Sequence, residues 1–104
     1  MSDTKWRKLF AAIHVARPEI HEMVVKFIDV DTPRLMQFPP SLSCPHPYMD
    51  TIEFGPTELR AIEWAEFSTD VSDILAPLGR FPLSIQNGRS RLTGYADAFP
   101  LKVG

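Results

Sequence analysis

At 104 residues the chain offers room for one domain, residues 1–104, with a single hydrophobic core and no second unit. Hydrophobic residues at 44% and charged residues at 23% are ordinary for a globular protein, which excludes wholesale disorder and fibrous architectures. Net charge is −2, spread as +3 over residues 1–17, −6 over 50–73 and +3 over 80–104, without the concentrated basic surface a nucleic-acid binder carries.

The first element is read from SDTKWRKLFAAIHVAR, where Ser2 or Asp3 can cap a helix and Trp6, Leu9, Phe10 and Ile13 share one helical face. The spacing predicts a helix over 3–16, ended by Pro18 and packed on a sheet. Met23–Val30 is rich in β-branched and aromatic residues and predicts a central strand. From Asp31 to Gly55 prolines dominate, and six of the ten in the chain lie between Pro33 and Pro56 inclusive. An irregular connection of that length is uncommon inside a compact domain, so it is either functional or conceals structure. YMDTIEF, residues 48–54, is where an edge strand could be concealed.

In PTELRAIEWAEF good helix formers compete with the alternation of Ile62 and Trp64, and periodicity alone does not decide between helix and strand. STDVSDILAPLGRF predicts a helix of about two turns, with Thr69 or Asp70 as cap, Val71, Ile74, Leu75 and Leu78 on one side, and Gly79 just past its end. FPLSIQNGRSRLTGYA centres on Asn87-Gly88, the pair favoured in a type I′ turn, and predicts a hairpin of strands near 81–86 and 89–96. The final DAFPLKVG carries no firm signal.

The order of Gly55-Pro56, Leu59-Arg60, Ile62-Glu63-Trp64 and Gly94-Tyr95, together with the amino-terminal KWRKLF, resembles a family of small bacterial proteins, a domain of unknown function. The resemblance spans residues 5–96 and implies that the Ile-Glu-Trp segment is a strand. It implies no activity, cofactor or catalytic residue set.

The residue types that suggest chemistry gather in SCPHPYMD, residues 43–50. Cys44 and His46 stand two apart, so in an extended segment their side chains share a side, and a thiol nucleophile needs such a base together with a third orienting group. Against this, Pro45 and Pro47 restrict the backbone, and a lone free cysteine commonly behaves as a small hydrophobe. His14, His21 and His46 lack the spacing and the second cysteine of a zinc site, so no metal and no cofactor is expected. Glu53, Glu58, Glu63, Glu66, Asp70 and Asp73 read as a solvated face. The exception is Glu63, whose expected depth calls for Arg60, Arg89 or Arg91 as partner.

Gly88 and Gly94 fit no phosphate-loop pattern, and Trp6, Trp64 and Tyr95 read as core aromatics more readily than as a binding surface. Arg89 and Arg91 share one face of the last hairpin, open to an acidic partner or to the chain's own acidic segment. No apolar run approaches the ~20 residues of a membrane helix, MSDTKWRKLF contains no apolar leader region, and one cysteine cannot close an internal disulfide. The expectation is therefore a cytoplasmic protein off the membrane.

The resulting expectation is an α+β domain in the order α-β-β-α-β-β, two helices on an antiparallel sheet of about four strands. Its expected function is a small non-catalytic protein-interaction module, regulatory or immunity-type, with Cys44, His46, Tyr48, Asp50, Arg89 and Arg91 as binding surface and another protein as partner. The competing class is a small enzyme or ligand binder with its site under the Pro-rich 33–55 loop. Exposed edges at 89–96 or YMDTIEF also allow a strand-mediated homodimer.

Overall fold

The computed structural model describes residues 1–95 of the chain. The amino-terminal apolar stripe forms helix α1, Asp3–Ala16, capped by Ser2, whose hydroxyl accepts the Lys5 N–H at 3.2 Å. Trp6, Leu9, Phe10 and Ile13 are fully shielded from solvent, and burial of side chains of this size contributes about 2 kcal/mol each. The helix ends as predicted, because Pro18 cannot continue its hydrogen-bond ladder.

Seven strands follow: β1 Glu22–Phe27, β2 Arg34–Gln37, β3 Tyr48–Thr51, β4 Gly55–Glu58, β5 Ile62–Phe67, β6 Leu83–Gln86 and β7 Arg89–Thr93. A 3-10 turn, Leu59–Ala61, joins β4 to β5. The second helix, α2, is a single turn, Ser72–Leu75, continued by a 3-10 turn over Ala76–Leu78. Its N-cap is Val71 and not the expected Thr69 or Asp70; Asp70, one residue earlier, accepts the Ser72 N–H at 2.8 Å in a local turn. Five strands form one antiparallel sheet in the order β2-β1-β5-β7-β6, while β3 and β4 form a separate hairpin.

The α+β class and the two helices agree with the sequence reading. The four-strand sheet and the order α-β-β-α-β-β do not, since the described residues run α-β-β-β-β-β-α-β-β. The added strands lie mostly in the 33–55 segment expected to be irregular. β2 has four residues and one buried side chain, Met36, which is too short for alternation to register. β4 reads Gly-Pro-Thr-Glu, residues with little strand preference, and it exists because β3 pairs with it. The first strand stops at Phe27 rather than Val30, because the Val30 N–H closes a turn onto the Phe27 carbonyl.

The sheet has two unlike faces. Met23, Val25, Met36, Ala65, Phe67 and Leu92 are buried in the same core cluster as α1, Val71 and Leu75 around α2, and Met49 of the β3–β4 hairpin. Phe38, just past β2, meets Phe67 edge-on at 5.1 Å and Phe10 at 5.8 Å, joining helix, sheet and the Pro-rich segment. On the opposite face Val24, Lys26, Trp64 and Glu66 are half-buried and Arg89 and Arg91 exposed, and among the described residues this side carries no helix. The predicted type I′ turn is present, with φ of 55° at Asn87 and 76° at Gly88. The two strands are shorter than read, β6 beginning at Leu83 and not 81 and β7 ending at Thr93, while residue 96, the predicted end of the last strand, lies outside the described residues.

Candidate functional site

Proline fixes φ and removes an N–H donor, so the segment from Pro39 to Pro47 carries carbonyl groups that its own backbone cannot pair. Arg7 of α1 pairs them. Its guanidinium donates to the Leu42 carbonyl at 2.7 Å and to the Cys44 and Tyr48 carbonyls at 2.8 Å each. Asp3, one helical turn earlier, accepts from His46 Nδ1 at 2.8 Å, and this hydrogen bond holds the Asp3 carboxyl below its usual range. The ends of the segment are closed by reciprocal backbone bonds between Ser41 and Asp50 at 2.8 and 2.9 Å. The result is a strap from 41 to 50 fastened across the amino-terminal half of α1.

Within the strap the chemistry-bearing side chains are engaged in fastening it. The half-buried Cys44 thiol donates to the Tyr48 carbonyl at 3.1 Å and lies 3.8 Å from the Ser41 carbonyl. Among the described residues no hydrogen bond links it to His46, whose ring is turned to Asp3. Tyr48 and Asp50 point outward, Tyr48 at 42% exposure. Beside them a groove of about 440 Å³ runs between Gln37, Pro39, Pro40 and Ser41 on one wall and Asp50 and Ile52 on the other. Ile52, at the turn between β3 and β4, is 78% exposed, while neither Cys44 nor His46 reaches the groove.

Arg89 and Arg91 stand elsewhere, on the open face of the sheet and not with the strap. Both hold Glu66 of the neighbouring strand, at 2.8 and 3.2 Å, and the Arg91 guanidinium stacks 3.8 Å from the centre of the Trp64 ring. Burial alone raises the Glu66 pKa, but the two arginines outweigh it and leave the carboxyl below its ordinary value. Glu63 pairs with Lys26 at 2.9 Å, not with the arginines expected for it. A bulge explains this, because Lys26 faces Trp64 and Phe27 faces Ile62, leaving Glu63 as an extra residue turned toward Lys26. Arg60 holds Glu58 instead.

The strap's anchors, Arg7 and Asp3, were not legible as functional positions. Both sit off the apolar stripe of α1, and the only signal for them was indirect: a proline-rich stretch requires donors from elsewhere. Among the described residues no three His, Cys, Asp or Glu side chains gather where an ion could be held, and no helix is long and apolar enough to cross a membrane. Comparison of the chain with family models, curated proteins and solved structures finds no match.

Proposed function

We propose that the protein is a small, cytoplasmic, non-catalytic interaction module that binds another protein through the outer side of the strap and the adjoining β3–β4 hairpin. One observation carries the reading. Cys44 and His46 are spent on holding the strap to itself and to α1, whereas Tyr48 is exposed on the strap and Asp50 and the exposed Ile52 of the adjoining turn line an open groove. Apolar and aromatic side chains presented on a rigid support lose little freedom on binding, and such groups anchor protein interfaces. The narrower regulatory or immunity-type role belongs to the same proposal and rests on the small size and acidic 50–73 segment.

Photo-cross-linking from position 52 in native cytosol tests it. The expected result is a defined protein adduct that disappears when Tyr48→Ala and Asp50→Lys are introduced, and that is absent when the cross-linker is moved to exposed Val15 on α1. Equal adducts from positions 52 and 15, or none from 52, would count against the proposal.

A further inference from the structure

The two edges of the five-stranded sheet are finished differently. At the β2 edge, the Phe38 N–H reaches the His21 carbonyl, so by alternation Gln37 presents its N–H outward, and Glu53 accepts that donor at 3.0 Å. Arg34 places a charge in the same short strand, with prolines on both sides of it. Capped donors, charges and flanking prolines are the usual means of preventing strand addition.

The β6 edge is finished more lightly: Pro82 precedes it and the Phe81 carbonyl takes the Leu83 N–H at 2.8 Å, but among the described residues no side chain caps an outward-facing group. Its four residues, Leu-Ser-Ile-Gln, are uncharged. In the two-residue hairpin Gln86 and Ser84 face Arg89 and Arg91, and the Pro82 carbonyl accepts the Thr93 N–H at 3.0 Å. Alternation therefore turns the N–H and C=O of Ile85, and the C=O of Leu83, away from β7. Among the described residues no hydrogen bond reaches either group of Ile85. The Ile85 side chain lies on the layered side of the sheet at 41% exposure, and the preceding Leu83 lines a groove of about 390 Å³ with Leu75, Ala76 and Phe81, its polar members being Ser72 and Arg80.

We infer that β6 pairs antiparallel with β6 of a second copy of this chain about a two-fold axis at Ile85, forming a continuous sheet across a homodimer. The edge is self-complementary. Each Ile85 N–H donates to the other copy's Ile85 carbonyl, Ser84 of one copy lies opposite Gln86 of the other, and no charged residue enters the paired strands. Ile85 side chains meet on the layered side, where the groove supplies further apolar surface. The strand pair is short, so the dimer is weak and reversible. The alternative edges named from sequence are closed: β7 lies between β5 and β6, and the outer side of β3 is bridged by Ser41.

Sedimentation equilibrium of the full chain between about 10 μM and about 1 mM tests this inference. The expected result is a mass rising from monomer toward dimer, with Ile85→Lys and Ile85→Pro each weakening association at least about tenfold. Leu35→Lys, at the other edge, leaves association unchanged. Ile85→Pro removes an outward N–H only, and circular dichroism verifies its fold, with Ile85→Lys deciding the matter if the proline variant unfolds. A monomer over the whole range, or a dimer insensitive to Ile85→Lys, would overturn the inference.

Discussion

Arg7 is the residue on which the strap depends, because a single guanidinium serves three carbonyls. Replacing it by Met keeps the aliphatic stem but leaves those carbonyls without their donor, and the expected loss is about 3 kcal/mol in urea unfolding. The same substitution frees Cys44. In the native protein the thiol is half-buried and donates to the Tyr48 carbonyl, so alkylation at neutral pH is slow. In Arg7→Met it should accelerate at least about tenfold as the strap opens locally. Equal alkylation rates in the two proteins would mean that something other than Arg7 holds the strap closed.

Among the elements, the β5 bulge shows how one extra residue organises a sheet. It turns Glu63 to Lys26, and the Glu63 carbonyl accepts the Gly94 N–H at 2.6 Å. A Cβ at Gly94 would stand 2.4 Å from the Ile62 carbonyl, so Gly94→Ala is expected to lower stability by about 2 kcal/mol, readable as a drop in melting temperature. Glu66 between its two arginines gives the open face a pH dependence. Its folded pKa lies below the ordinary 4.5, so its stabilisation is complete above that value and disappears as pH falls through the lowered one. Glu66→Gln should cost about 1 kcal/mol near pH 7, with the difference from wild type closing as pH falls below the ordinary carboxylate range and through the lowered Glu66 pKa. A difference independent of pH would contradict the pairing.

These elements also mark what could be read beforehand. α1 and the last hairpin carry local signals, an apolar stripe over about two turns and an Asn-Gly turn; the helix has the bounds read for it and the hairpin its turn, with shorter strands. β2 and β4 carry none, because each is four residues long and is held as a strand by pairing with the strand before it, β1 and β3, and not by a preference of its own residues. The Lys26–Glu63 pair was equally hidden, since it depends on a bulge that no residue type announces.

At the scale of the whole molecule, the sheet divides two kinds of surface. The layered side carries the strap, the groove and the projecting Tyr48, Asp50 and Ile52, while the open side carries a charge network closed on itself around Glu66. The sequence drew attention to the Pro-rich segment through its residue types, but not to the reason it is ordered, which lies thirty-odd residues earlier in α1. It could not separate Arg89 and Arg91 from that segment either, because which face of the sheet a strand presents follows from register. The most direct test of the interaction reading is the affinity of the partner captured at position 52 for Cys44→Ala and Ile52→Asp. The account predicts that Cys44→Ala binds as wild type and that Ile52→Asp binds at least about tenfold more weakly. Loss of binding in Cys44→Ala with Ile52→Asp unaffected would contradict it and move function to the thiol.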